Sequence, residues 1–250
     1  MNKPLFDCSK GKLRIAGLIS GSGKSLISII ERQKELEADS NCNFEVVGLF
    51  SDNPNSKAEH ISKTYNIPVF VNDIKAFYLE RNKDITDKTA RKEFDQQTAD
   101  FLKTLKPDIV IYAGYIWATT EPLLTSFQSI NCHPADLSVV NQDGRAYAGA
   151  HGVRDALLAG ETTLNSSLHM VTAKIDHGPI LLISEPVIVE DDSGELDLKS
   201  RSIKYLRLLN EKSRKLCALG IEKISENMFT TNDKGELCYK DVAIPKGYRL

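Results

Sequence analysis

Apolar runs alternate with amphipathic segments through the first half of the chain. The apolar runs are bounded by turn-forming residues, which is typical of strands buried on both faces; they cover residues 13–19, 44–50, 67–71, 109–113 and 129–131. Between these runs, apolar side chains recur at helical spacing and predict helices at residues 26–37, 58–65, 88–105 and 121–126. This alternation predicts an α/β fold with a Rossmann-like, doubly wound and mostly parallel sheet.

The pattern changes after residue 160. Residues 164–172 and 179–189 read as two strands joined by a turn at Asp176, and we expect them to form an antiparallel hairpin. A second long helix is predicted at 204–227 and a small strand at 236–244. Neither a repeat nor a composition shift marks a boundary. We therefore expect one domain over residues 1–250, with an N-terminal extension at 1–12 and a C-terminal tail at 229–250.

Amino-acid composition argues against several classes of protein: nucleic-acid-binding, disulfide-rich, secreted and membrane-spanning. The 250 residues include 32 Lys and Arg against 34 Asp and Glu, and the net charge of -2 argues against a nucleic-acid partner. Five scattered cysteines without a CxxC pair argue against a disulfide framework or a zinc cluster and favour a reducing compartment. The first residues do not form a signal peptide, and no apolar run is long enough to span a membrane. We expect a cytoplasmic protein with small-molecule substrates, either a monomer or a homodimer.

A glycine-rich turn follows the first predicted strand. Gly23, Lys24 and Ser25 close this turn just before a helix, where backbone N–H groups and a lysine charge favour phosphate. A P-loop nucleotide hydrolase is disfavoured, because its first glycine would be needed at position 18, which is Leu18. The alternative interpretation is a plain turn in which Ser22 or Ser25 caps the helix.

Three polar side chains suit acyl transfer. Asn131 and His133 are two residues apart at the end of a predicted strand, and Pro134 favours extended backbone at His133, so both should face one way. Asp176 lies on a turn that could bring its carboxylate to them. An amide and an imidazolium can stabilise an oxyanion, while a carboxylate keeps the imidazole charged and relays protons through water. A hydrogen-bonded strand end is the alternative for Asn131 and His133 alone.

Four stretches resemble the folate-dependent formyltransferase family. They carry the glycine turn, a strand end, the Asn-Cys-His-Pro strand and the later hairpin with its Asp turn, and they cover residues 18–26, 112–116, 130–134 and 167–180. Their order and spacing agree with the family from about residue 12 to about residue 190. The resemblance implies the formyltransferase fold, 10-formyltetrahydrofolate as co-substrate and no metal. Within the family, the stretches resemble in particular the enzymes that formylate glycinamide ribonucleotide in purine biosynthesis.

The resemblance also implies residue roles. Asn131 and His133 would polarise the formyl carbonyl, and Asp176 would orient His133 and a proton-carrying water. Gly23, Lys24 and Ser25 would hold the substrate phosphate. The folate would be bordered by Tyr115, Ile116, Val171, Thr172, Ala173, Lys174 and Ile175. Candidate acceptor contacts are Pro134, Arg145 and His151.

Two departures concern the acceptor side. Residues 135–145 replace the Ser-Leu-Leu-Pro stretch usual in the family, and Lys24-Ser25 stands where Ser-Asn is usual. Another amine, such as an amino sugar or a modified nucleotide, is therefore an alternative acceptor. Water is a further alternative, as in formyltetrahydrofolate hydrolases, although residues 1–12 are too short for their N-terminal regulatory domain. Methionyl-tRNA is disfavoured because the tail lacks a basic excess. A non-catalytic phosphate-binding module and a P-loop kinase are the rivals outside the family.

Overall fold

The structure is a computed structural model that describes residues 2–6, 11–191 and 194–250. By their contacts these residues form two compact units. The N-terminal unit is the described part of Asp7–Ile130, and the C-terminal unit is the described part of Met1–Phe6 together with Asn131–Leu250. Cys8 lies outside the described residues, and the other four cysteines are not joined to one another by disulfides.

The helices of the described chain are α1 (Lys24–Ala38), α2 (Ala58–Tyr65), α3 (Ile74–Glu80), α4 (Lys88–Leu105), α5 (Glu121–Ser126), α6 (Gly152–Leu158) and α7 (Leu198–Ser225). The strands are β1 (Lys3–Pro4), β2 (Leu13–Ile19), β3 (Phe44–Ser51), β4 (Val69–Val71), β5 (Ile109–Tyr112), β6 (Gln128–His133), β7 (Val140–Asn141), β8 (Gly144–Arg145), β9 (Thr163–Leu164), β10 (Ser167–Met170), β11 (Ile180–Ile183), β12 (Val187–Ile188), β13 (Phe229–Thr231), β14 (Leu237–Tyr239), β15 (Val242–Ala243) and β16 (Tyr248–Arg249). Among the described residues, no helix is long and apolar enough to cross a membrane.

The N-terminal unit is built on parallel strands in the order β5–β2–β3–β4. The side chains of β5 are all buried, and β2 is buried at every position but one. That burial explains their continuous apolar sequences. Parallel strands joined by helices confirm the predicted α/β fold.

Local signals placed several boundaries correctly. The predicted bounds of β2, α2, α4 and α5 agree with the structure. The helix α4 begins where the Asp87 carboxylate accepts the backbone N–H groups of Thr89 and Ala90, both at 2.9 Å. It ends at Lys106, which has the left-handed backbone of a helix C-cap. The sequence analysis missed α3, a short helix that Asp73 caps in the same way.

The C-terminal unit contains the predicted hairpin. β10 and β11 are antiparallel, as are β9 and β12, so the antiparallel pairing is confirmed. Each predicted strand is divided in two, because residues 165–166 and 184–186 leave the ladder between the paired segments. These strands are neighbours in the order β16–β11–β10–β6, and β16 is parallel to β11.

Two predicted elements near the C-terminus need correction. The long helix α7 begins at Leu198 rather than at residue 204, because the Asp197 side chain caps it by accepting the Ser200 N–H at 2.7 Å. The single strand predicted at 236–244 is a hairpin of β14 and β15. Its turn residues Lys240 and Asp241 both have positive φ, as a tight hairpin turn requires. The usual Asn-Gly signature is absent there.

An apolar cluster in the C-terminal unit supports the segment after β6. Tyr205 and Leu209 of α7 are fully buried, and they pack with Leu157 of α6 and with Tyr147. This cluster fixes residues 135–147 and the start of α6, the two segments that surround the end of β6.

Candidate active site

Asn131 and His133 lie at the end of β6, and Pro134 follows where the strand stops. His133 is buried, with 8% of its surface exposed. Its Nε2 lies 2.9 Å from the Tyr147 carbonyl oxygen, and its Nδ1 lies 3.3 Å from Asp176 Oδ2. Because a carbonyl can only accept, the first contact places an N–H on Nε2. The ring therefore has one nitrogen that donates and one that faces a carboxylate.

Asp176 is the centre of the polar cluster. Its Oδ2 accepts the Gly149 backbone N–H at 2.9 Å in addition to facing His133, and its Oδ1 lies 3.3 Å from His169 Nε2. The residue has a φ of 55°, a left-handed conformation that is uncommon outside glycine. The turn thus aims a buried carboxylate between two imidazoles.

Arg145 and Gly178 hold this turn in place. The Arg145 guanidinium donates to the carbonyl oxygens of Asp176 and Gly178, the latter at 2.8 Å. At Gly178 a Cβ atom would lie 1.9 Å from the Met170 carbonyl oxygen, so the turn passes β10 too closely for any side chain. Arg145, a candidate acceptor contact in the sequence analysis, has both terminal nitrogens on the backbone of the turn.

His169 is a site residue that the sequence analysis missed. It is 2% exposed, and its Nδ1 donates to the Met170 carbonyl oxygen at 2.8 Å. Its Nε2 lies 3.3 Å from both Asp176 Oδ1 and Asn131 Nδ2, so it connects the carboxylate to the amide. The available signal was a histidine inside a predicted strand, between Leu168 and Met170 and seven places before Asp176.

The environment gives the two central groups different charges. Burial raises the pKa of Asp176, but the hydrogen bond with His169, the nearby His133 and the Gly149 N–H together lower it to about 2. Burial lowers the pKa of His133, and the Asp176 charge and the Tyr147 carbonyl offset only part of that effect. The Asp176 carboxylate is therefore ionised at neutral pH, while the burial of His133 favours the neutral form of its ring.

The start of α6 touches the His133 imidazole. A Cβ atom on Gly152 would lie 3.0 Å from His133 Nε2 and 2.4 Å from the Tyr147 carbonyl oxygen. Only glycine allows the helix to begin this close to the His133–Tyr147 contact.

A cavity of about 480 Å³ opens beside His133, between the start of α6 and the start of α7. Two of the three candidate acceptor contacts, Pro134 and His151, line it, whereas Arg145 does not. His133 and Asp176 thus belong to a buried cluster whose imidazole borders a cavity large enough for a small molecule.

The glycine turn lies in the N-terminal unit. Gly23 is the N-cap of α1, with a φ of 60°, and a Cβ atom there would lie 2.6 Å from Ile61 Cδ1. The N-cap position of α1 is therefore occupied by Gly23 rather than by Ser22 or Ser25, and no side-chain hydrogen bond is made from that position. The N–H groups of the first turn, with exposed Lys24 and half-buried Ser25, therefore remain available for an anion.

The expected folate contacts differ in exposure. Tyr115 is buried, its hydroxyl accepts from Arg91 Nη2 at 3.1 Å, and burial raises its pKa. Ile116 is 77% exposed, and in the C-terminal unit Val171 is half-buried. The remaining candidates are all exposed: Thr172, Ala173, Lys174 and Ile175. The exposed apolar side chains Ile116 and Ile175 are free to contact a ligand.

The cluster has the groups needed for metal-free acyl transfer. Asn131 is an amide donor, His133 has both an N–H and a nitrogen that can take a proton, and Asp176 is a fixed negative charge. Within the described ranges, no group of three or more His, Cys, Asp or Glu side chains is arranged to hold a metal ion.

Comparisons with known proteins agree with this chemistry. The formyl transferase family profile matches residues 13–205. A phosphoribosylglycinamide formyltransferase from Mycobacterium tuberculosis is 29% identical over 203 residues, which is 80% of this chain and 83% of that protein. The crystal structure of glycinamide ribonucleotide transformylase 1 from Symbiobacterium toebii matches with a TM-score of 0.69 and 24% identity, over 91% of this chain and 94% of that one. A formyltetrahydrofolate deformylase from Pseudomonas syringae matches with a TM-score of 0.67 and 17% identity, over 92% of this chain and 67% of that one. These two structures share the fold of this chain.

The family match covers most of the sequence, and this chain belongs to the formyl transferase family.

Proposed function

We propose that this protein transfers a formyl group from 10-formyltetrahydrofolate to the amine of glycinamide ribonucleotide. The observation that carries the proposal is the Asp176 carboxylate held between His133 and His169, with the Asn131 amide against His169. The Mycobacterium tuberculosis relative supports the choice of acceptor through its name. The substrates would be small molecules of the cytoplasm, and the Gly23-Lys24-Ser25 turn would bind the acceptor phosphate.

In this mechanism the formyl oxygen is stabilised by N–H donors as it becomes negative. Asn131 has two amide hydrogens, and its contact with His169 uses at most one of them. The other donates to the formyl oxygen. In the structure the His133 Nε2–H donates to the Tyr147 carbonyl oxygen. In the reaction it donates its hydrogen bond to the formyl oxygen instead, as the negative charge develops there.

The same cluster moves the proton. The acceptor amine attacks the formyl carbon, a new C–N bond forms, and the nitrogen must lose a proton. A proton taken up on His133 Nδ1 completes a charged hydrogen bond to Asp176 Oδ2. When the bond from the formyl carbon to N10 of the folate breaks, N10 receives that proton. A water can relay each transfer between the buried pair and the substrates.

The test is formyl transfer followed by the absorbance of the deformylated folate, with and without glycinamide ribonucleotide. We expect turnover that requires the amine. Asp176→Asn should keep folate binding near that of the wild type and lower kcat by at least about a hundredfold, because the fixed charge for the proton is lost.

Asp143→Asn is the matched control, since Asp143 is exposed on the same loop as Arg145. Its rate should equal that of the wild type. An unchanged rate in Asp176→Asn would remove Asp176 from the mechanism. Folate turnover that is indifferent to the amine would point to hydrolysis instead.

A further inference from the structure

The cavity beside His133 is lined by two segments. One is residues 149–154, where α6 begins, and the other is the first part of α7, from Leu198 to Leu206; we call the cavity the α6–α7 pocket. Its large apolar side chains are accessible: Ile203 is 60% exposed and Leu206 is 39% exposed. Exposed aliphatic side chains at a concave surface favour an apolar ligand.

The charged groups of the α6–α7 pocket are cationic. Arg154 and Lys199 line it, and no Asp or Glu is among the described residues that do so. Both side chains are exposed, and Arg154 Nη1 lies 3.9 Å from the nearest carboxylate, Asp155 Oδ1. An exposed ion pair at that separation is weak, so the guanidinium can bind an anionic group on a ligand.

The apolar wall of the α6–α7 pocket is a poor match for a ribose, and the expected folate contacts lie elsewhere. None of the seven expected folate contacts lines the α6–α7 pocket, but two candidate acceptor contacts, Pro134 and His151, do. The two α7 side chains described above, Ile203 and Leu206, offer no hydrogen-bond partner to a sugar hydroxyl. A ribose held against them would leave polar groups unpaired, which costs binding free energy.

We propose that the α6–α7 pocket gives this enzyme a second class of acceptor: primary amines with an aliphatic or aromatic side chain and an anionic group. The inference rests on the proposed formyl transfer and adds an acceptor to it. The side chain lies against Ile203 and Leu206, the anion lies at Arg154 and Lys199, and the amine lies at the His133 end. The bonds made and broken are the same as with glycinamide ribonucleotide. A C–N bond forms between the formyl carbon and the amine, the bond from the formyl carbon to N10 of the folate breaks, and the amine proton passes to N10.

Dipeptides are suitable probes, because an α-amino group has a pKa near 8 and is partly unprotonated at that pH. Formyl transfer is measured with leucyl-glutamate, with glycyl-glutamate, which lacks the apolar side chain, and with leucyl-glutaminamide, which lacks the charge. We expect kcat/KM for leucyl-glutamate to exceed that for glycyl-glutamate by about tenfold to a hundredfold, the effect of burying a leucine side chain.

Two sets of variants locate the effect. Ile203→Asp places a charge in the apolar wall. It should reduce the leucyl to glycyl ratio, which is kcat/KM for leucyl-glutamate divided by kcat/KM for glycyl-glutamate, to near one. Leu208→Asp is the matched control on the same helix, at a 37% exposed position outside the pocket, and should keep the ratio. Replacing Arg154 and Lys199 together with Ala should abolish the preference for leucyl-glutamate over leucyl-glutaminamide.

The outcomes separate the two proposals. Turnover of glycinamide ribonucleotide with a leucyl to glycyl ratio near one would overturn the second acceptor class and leave the proposed function intact. An equal loss of the ratio in Leu208→Asp would also overturn it. Failure of glycinamide ribonucleotide alone to accept the formyl group would overturn the proposed function in its choice of acceptor, and failure of all four amines would overturn formyl transfer itself.

Discussion

Asp176 shows how one residue combines backbone strain with a fixed charge. A non-glycine residue with a φ of 55° costs free energy, and so does burial of a carboxylate. Contacts on every side offset these costs: His133 and His169 on the carboxylate oxygens, the Gly149 N–H, and Arg145 on the backbone carbonyl. Such over-determination fixes where the negative charge lies, which a proton-transfer mechanism requires.

The charge of Asp176 should make stability depend on pH. Its folded-state pKa of about 2 lies below the value near 4 of an unfolded Asp. The ionised group therefore stabilises the fold above pH 4, and this stabilisation is lost as the pH falls through about 2. We expect the difference in unfolding free energy between wild type and Asp176→Asn to shrink by about 2 kcal/mol from pH 5 to pH 2.

Urea unfolding at a series of pH values measures this difference. Asp143→Asn, at an exposed position, should show no such slope relative to the wild type. A difference that stays constant over the range would show that the folded-state pKa of Asp176 is not depressed.

Arg145 should act through geometry as well as charge. Its planar guanidinium reaches two carbonyl oxygens at once, and a lysine ammonium cannot reproduce that fork. We expect Arg145→Lys to lower kcat by about tenfold to a hundredfold with little change in the KM for folate, because the Asp176 turn shifts. Arg207→Lys, at an exposed position on α7, should keep the wild-type kcat. A wild-type kcat in Arg145→Lys would mean that charge alone suffices.

At the level of elements, α6 has a role that its seven residues do not suggest. It begins against His133 and Tyr147, and Gly152 is the point of closest approach. The helix packs on α7 through Leu157 and Tyr205, so its position is set by the apolar cluster of the C-terminal unit. The His133 imidazole is thus placed by β6 on one side and by a helix start on the other.

Gly152→Ala should disturb this arrangement. Its methyl group would be 2.4 Å from the Tyr147 carbonyl oxygen, which is backbone and cannot move aside cheaply. We expect kcat to fall at least about tenfold and the unfolding free energy to fall by about 1 to 3 kcal/mol. Gly194→Ala is the control, since no heavy atom lies within 4 Å of its Cβ position. Equal kcat values in Gly152→Ala and Gly194→Ala would contradict the close approach of Gly152 to the Tyr147 carbonyl oxygen.

For the molecule as a whole, both ends of the chain add strands to the C-terminal unit. β1 pairs with β13, and β16 lies beside β11, where the Leu250 N–H also donates to the Ile183 carbonyl oxygen at 3.0 Å. Arg249 Nη2 lies 2.7 Å from Asp136 Oδ2, just after the end of β6. The last residues therefore support the segment that follows β6.

Truncation after Gly247 tests this support. Loss of the strand and its hydrogen bonds should lower the unfolding free energy by about 1 to 3 kcal/mol, which is a decrease in Tm of about 2 to 4 °C per kcal/mol for a chain of this size. Arg249→Ala should lower the unfolding free energy by less than about 1 kcal/mol, because the ion pair of Arg249 with Asp136 lies at the surface and surface ion pairs contribute little to stability. Equal Tm values for the truncated and full chains would show that β16 is dispensable.

Elements with local causes could be predicted from the amino-acid sequence. The bounds of α4 follow from a capping Asp87 and an apolar period, and the buried strand β2 follows from its unbroken apolar run. The same reasoning predicted that Asn131 and His133 sit together at a strand end, because alternate residues of a strand share a face.

Which side chains meet depends on long-range packing and could not be predicted from local sequence. His169 is 38 residues from Asn131, and Arg145 is 31 residues from Asp176, so no local period reports these contacts. The pKa of His133 likewise depends on burial, which long-range packing produces. Backbone conformation responds to neighbours in sequence, whereas the charges and cavity of the site depend on where distant segments pack.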